Sequence, residues 1–153
     1  LFILYLVNIF GLVYLGDNGT YVLSLFLGFY LISFYTKNTN LSPYYIATLL
    51  WYPAFENLFS FCRRLKANKN VSLADNFHLH QLFYLFISNL NIFKKYNFSN
   101  SFSAMIILFL NIPSFILASM YPFNTKMQLL IILINILLYI LFYFILSKKF
   151  IYK

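Results

Sequence analysis

Charge is what this chain has least of. Of its 153 residues only 9% are charged, against about 25% in a soluble globular domain. Three are acidic: Asp17, Glu56 and Asp75. With 62% of its residues hydrophobic, the chain has too little polar surface to keep itself in water, which excludes a soluble enzyme and leaves the lipid bilayer as its solvent. Cysteine is nearly absent too. Cys62 stands alone and builds neither an internal disulfide nor a metal cage. The run Leu1 to Phe10 lacks the basic leader of a secretory signal peptide.

What the chain does have is long apolar runs and an excess of base. The formal net charge is +8, yet the lysines and arginines sit at the ends of apolar runs and form no continuous stripe, so the partner they imply is a membrane and not nucleic acid. A helix crossing the hydrocarbon core needs about 20 apolar residues. Leu1 to Tyr14 reads as the end of one such span. Because the chain opens at Leu1 inside that run, the expectation is that it is the carboxyl-terminal part of a longer protein and inactive by itself. The second span is Tyr21 to Tyr35, extended if its helix begins near Asn18 to Thr20. The third runs from about Ser42, with Pro43 in its first turn, to about Cys62, and includes Pro53 and Glu56. Phe102 to Tyr121 and Met127 to Leu146 are the fourth and fifth. The fold class expected is therefore all-α: a polytopic transmembrane bundle of about four complete spans plus a truncated first one. Residues 1–153 form one integral membrane domain, with a functional loop at 63–100 inside it.

Asn38-Thr39-Asn40 and Tyr121 to Thr125 are short polar links that make consecutive spans antiparallel neighbours. The link from Arg63 to Asn100 is different. It holds both histidines, Asp75 and six of the eleven basic residues, with a weakly amphipathic piece, His80 to Phe93, suited to an interface. If this loop is cytoplasmic, nine basic residues lie inside (Arg63, Arg64, Lys66, Lys69, Lys94, Lys95, Lys148, Lys149, Lys153) and two, Lys37 and Lys126, outside, the asymmetry that sets membrane orientation. The same alternation puts Leu15 to Thr20 on the cytoplasmic side.

Asp17 lies in Gly16-Asp17-Asn18-Gly19, at the mouth of a span. The glycines let backbone bend around a ligand, and the carboxylate is the hard oxygen that Mg²⁺ prefers; equally, an aspartate here caps the following helix. His78 and His80, one residue apart, share a side only in irregular backbone, where they can grip phosphate oxygens or a metal, or they are an interfacial accident. Arg63 and Arg64 have the fork that clamps a diphosphate, or they anchor the helix end to the membrane surface. Glu56 is seven positions before Arg63, on the same helix face, where it either orients Arg63 through Ser60 or is solvated inside the bundle.

In order and spacing, Tyr14 to Thr20, Pro53-Ala54-Phe55-Glu56 leading to Arg63-Arg64, and Asp75-Asn76-Phe77-His78-Leu79-His80-Gln81-Leu82 resemble the polyprenyl-phosphate N-acetylhexosamine-1-phosphate transferases, the glycosyltransferase 4 family. That family includes the undecaprenyl-phosphate GlcNAc-1-phosphate transferases and the phospho-MurNAc-pentapeptide transferase. The resemblance covers about Leu1 to Leu82. It implies Mg²⁺-dependent transfer of a sugar 1-phosphate from a UDP-N-acetylhexosamine to a polyprenyl (undecaprenyl) phosphate, releasing UMP, in cell-envelope polysaccharide or peptidoglycan synthesis at a bacterial inner membrane, with the active face cytoplasmic. Carried over residue by residue, Asp17 is the metal ligand and, with His78 and His80, catalytic; Gly16, Asn18, Gly19, Arg63, Arg64 and Asp75 bind substrate. Gln81 stands where many relatives have a third histidine, Ala74-Asp75-Asn76 where they have Pro-Asp-Arg, and the family's amino-terminal aspartate pair is missing. A homodimer is admitted by these features and not specified. The competing reading is a non-catalytic membrane protein, a small transporter or respiratory-complex subunit, although a transporter places ionisable groups at mid-span on several helices and here only Glu56 approaches that depth.

Overall fold

The computed structural model describes residues 7, 16–68, 75–90 and 99–150. About 85% of the described residues are helical, and no strand occurs among them. The helices are α1, Gly16–Lys37; α2, Pro43–Leu49; α3, Trp51–Lys66; α4, Leu79–Ser88; α5, Ser99–Met120; and α6, Thr125–Phe150. Three of these, α1, α5 and α6, are long and apolar enough to cross a membrane. At 1.5 Å per residue the 22 residues of α1 and of α5 extend roughly 33 Å, enough for a hydrocarbon core of about 30 Å. The expected span Leu1 to Tyr14 lies outside the described residues apart from Val7, which is helical.

The third expected span is not one helix. It breaks at Leu50, whose φ of −104° and ψ of 7° leave the helical region, giving pieces of 7 and 16 residues, each short of the length a single crossing needs. Pro53 supplies the reason. It has no N–H to bond the carbonyl of Leu49, and its ring crowds that carbonyl, so a continuous helix loses a bond there. Starting afresh at Trp51 puts Pro53 in a first turn, where no N–H is wanted. Pro113 removes the same bond inside α5 without ending the helix. Proline thus permits the break, and burial of Trp51 in the core fixes it.

The short links behave as the sequence indicates. The chain reverses at 38–42, where Leu41 N–H donates to Asn38 O at 3.0 Å. The α5–α6 link closes on Asn124, whose Oδ1 accepts from Met127 N–H at 3.2 Å at the start of α6. These turns meet at one end of the bundle. Ser42 N–H donates to Pro122 O at 3.0 Å, and the Ser42 and Thr125 hydroxyls are 3.0 Å apart. The other end carries Arg63, Arg64 and Lys66 of α3 and Lys148 and Lys149 of α6, with α4 packed on α5 and α6 between them.

Helix α4 is the amphipathic segment anticipated at His80 to Phe93, over its described part. Leu79, Leu82, Phe83 and Ile87 are buried at helical spacing, and they face α5 and α6, not an open interface. Leu79, Leu82 and Phe83 form the core cluster with Trp51, Tyr139, Tyr143 and Leu146. Along α6 the buried positions Gln128, Ile131, Asn135, Tyr139, Tyr143 and Leu146 recur every three or four residues, whereas Leu130, Leu133, Leu137 and Leu141 are exposed. The interior stripe is thus more polar than the outer one, as expected where lipid covers the outside. Polar side chains join the long helices: Ser114 Oγ donates to Asn135 Oδ1 at 2.5 Å, and buried Gln128 donates to the Ala118 and Tyr121 carbonyls, each at 2.9 Å. Helix α1 stands apart. It packs chiefly on α2, and only Leu31 among its residues is buried.

Candidate functional site

The site grows from the last three turns of α3. Glu56, Ser60 and Arg63 are three or four positions apart and so share one helix face, turned toward the segment that enters α4. Asp75 opens that segment. Its Oδ2 accepts hydrogen bonds from Ser60 Oγ and Arg63 Nη2, and its Oδ1 accepts from Phe77 N–H at 3.1 Å, the local turn that aspartate favours. Burial raises the Asp75 pKa, but the hydrogen bonds from Ser60, Arg63 and the Phe77 amide, with the Arg63 charge, outweigh it and lower the value to about 2. The Arg63 guanidinium is further held over the Phe77 and Tyr143 rings, 5.6 and 5.9 Å from their centroids. Its Nε is buried and has no hydrogen-bond partner among the described residues.

His78 occupies the cap position of α4 in extended backbone, φ −69° and ψ 154°. Gln81 secures it: His78 N–H donates to Gln81 Oε1 at 3.0 Å, and Gln81 Nε2 reaches the Asp75 carbonyl at 3.4 Å. A glutamine three residues into a helix satisfies an otherwise free terminal amide, so Gln81 works here as a helix-entry residue. The His78 ring lies between two carboxylates, Nδ1 at 3.3 Å from Glu56 Oε1 and Nε2 at 3.9 Å from Asp75 Oδ2. His80 stacks on it with centroids 5.5 Å apart and planes 12° from parallel. The two imidazoles therefore do lie on one side. Desolvation lowers the His80 pKa; Glu56 opposes that and His78 adds to it.

Glu56 is 6% exposed and is not bonded to Ser60. Its Oε1 accepts from Leu79 N–H and from the Tyr139 hydroxyl, both at 2.8 Å. Of the two readings of Glu56, orientation of Arg63 through Ser60 gives way to the other, a carboxylate solvated inside the bundle: Ser60 and Arg63 share Asp75, while Glu56 ties α3 to α4 and α6. Tyr139 carried no sequence signal of its own. The one hint is that Asn135, Tyr139 and Tyr143, four apart, place polar atoms along one face of a Leu-rich helix.

The structure thus gathers Arg63, Asp75, His78 and His80. Arg64 is buried, about 100° round the helix from Arg63. Gly16, Asp17, Asn18 and Gly19 lie in the first turn of α1, and among the described residues no hydrogen bond or ion pair connects Asp17 with Arg63 or the histidines. The Asp17 carbonyl accepts from Thr20 Oγ1 at 2.7 Å, while its exposed carboxylate makes no hydrogen bond among the described residues. No group of three or more His, Cys, Asp or Glu side chains suited to a metal ion occurs among them. Glu56 and Asp75 are already engaged by donors, so Asp17 is the one acid left with its oxygens uncommitted among the described residues.

Compared with known proteins, the chain matches no family model, no curated protein and no solved structure.

Proposed function

We propose that this protein transfers a sugar 1-phosphate from a UDP-N-acetylhexosamine to a polyprenyl phosphate, with UMP as the leaving product, and that the Arg63–Asp75–His78–His80 cluster receives the phosphates of the donor. The single observation that carries the proposal is the orphaned donor in this cluster. Arg63 Nε is buried and unpartnered in a side chain that is 23% exposed, beside two imidazoles. A buried N–H is costly to leave unsatisfied, and an oxyanion at the mouth of the cluster satisfies it.

The chemistry asks the protein mainly to neutralise and align two phosphorus-bearing anions. Asp75 holds Arg63 by one nitrogen, so the guanidinium is oriented in advance while its remaining donors stay available for phosphate oxygens. His78 and His80 offer ring nitrogens to the same anion. Asp17 would hold Mg²⁺, which when bound supplies further neutralisation of the diphosphate charge. The apolar outer faces of the long helices suit a polyprenyl tail, and the basic residues at this end suit the cytoplasmic face of a bacterial inner membrane.

The test is UMP release from UDP-N-acetylhexosamine by the complete protein in vesicles containing polyprenyl phosphate. Arg63→Met should reduce it at least 100-fold at unchanged protein level. Release at the unaltered rate would remove Arg63, and with it this reading of the cluster.

A further inference from the structure

Of the buried polar atoms around this site without a hydrogen-bond partner among the described residues, two belong to neighbouring side chains. Glu56 Oε2 and His78 Nδ1 are both inaccessible and hydrogen-bonded to nothing among the described residues, yet Nδ1 lies 3.3 Å from the other oxygen of the same carboxylate. One is an acceptor. The other becomes a donor when it carries the imidazole proton. Buried polar groups in folded proteins are paired, and at 3.3 Å from Oε1 the Nδ1 atom is within reach of this carboxylate.

We infer that Glu56 is the positioning residue for His78: its carboxylate holds the Nδ1–H tautomer and so leaves Nε2 as the nitrogen that accepts a proton and, once protonated, donates to an anion. The carboxylate is well placed for this because it is itself fixed. Leu79 N–H and the Tyr139 hydroxyl bind Oε1 from two different helices, so the imidazole is referenced to α3, α4 and α6 together. Leu79 N–H is also one of the free amides at the start of α4, where a negative charge is favoured. His80 has no such tether. It stacks on His78 from an exposed position, which divides the pair into a fixed imidazole and one that adapts.

The inference rests on the proposed site only in naming His78 as the group that needs orienting, and its test does not use activity, so the two fail separately. The full chain, labelled with ¹⁵N-histidine and held in lipid nanodiscs at a pH where both imidazoles are neutral, reports each ring's tautomer through long-range ¹⁵N–¹H correlations. His78 should show the Nδ1–H pattern. Glu56→Leu should convert it to the Nε2–H pattern that free imidazoles prefer, and Glu56→Gln, which keeps an acceptor oxygen, should restore Nδ1–H; His80 should stay unchanged throughout. An Nε2–H pattern for His78 in the unaltered protein overturns the inference, and that spectrum decides the matter even where Glu56→Leu fails to fold. An Nδ1–H pattern that survives Glu56→Leu overturns it equally.

Discussion

The Tyr139 hydroxyl donates to Glu56 Oε1 at 2.8 Å across 83 positions of sequence. That bond fastens the longest helix of the bundle to the carboxylate beneath the histidines. It anchors the carboxylate under the histidine pair at the junction of α3, α4 and α6. Consequences for pH, stability and turnover follow from which side chains this junction holds.

Acid should loosen the cluster through Asp75. Its pKa falls from an ordinary 3.8 to about 2 on folding, so the folded state binds fewer protons than the unfolded one in that interval. The stabilisation is complete above about pH 4 and is lost as pH falls toward 2. The thermal midpoint in detergent should drop over that range, and Asp75→Asn should flatten that part of the profile. A profile of the same steepness in Asp75→Asn would contradict the assignment. His80, whose pKa is lowered, acts earlier: stability should begin to decline as pH passes below the ordinary histidine value of 6.5.

Removing Asp75 should cost more than removing its exposed neighbours. Its carboxylate serves Ser60, Arg63 and the Phe77 amide, and breaking a largely buried pair leaves a charge uncompensated, at about 3 kcal/mol. A double-mutant cycle with Arg63→Met should show coupling of about 1 kcal/mol or more. Additive losses would mean that the pair is not formed in the membrane.

The two histidines should separate in kinetics. His80→Ala, at an exposed site, should raise KM for the UDP-sugar with little loss of stability. His78→Ala should lower both turnover and the thermal midpoint, because the His78 ring lies between Glu56 and Asp75. Identical behaviour of the two variants would deny the distinction between a fixed and an adaptable ring.

Asp17→Asn should abolish UMP release, measured by nucleotide chromatography, and leave the free energy of unfolding within about 0.5 kcal/mol of the original, as for surface substitutions generally. Full activity in this variant would remove the metal role of Asp17.

The anticipated location of the site was legible because its residue types are rare in this chain. With three acids and two histidines among 153 residues, Asp75, His78 and His80 stand out against an apolar background, and Arg63 precedes them at a helix end. The roles of Glu56 and Gln81 were not legible at that level. Glu56 serves a backbone amide 23 positions away, and Gln81 closes the entry to a helix by accepting from the His78 amide.

The sequence by itself determined the apolar, helical class and the short reversals, because side-chain hydropathy and the conformations of turn residues are local properties of the chain. Tertiary structure decided the rest: that the proline-bearing segment restarts at Trp51, which stripe of α5 and α6 faces inward, and that Tyr139 closes on Glu56 while Asp17 remains without a bond to that cluster. In a bilayer both the lipid-facing and the inward-facing sides of a helix are apolar enough to satisfy hydropathy, so periodicity cannot mark the interior. Only close packing and the pairing of the few polar groups distinguish one face from the other.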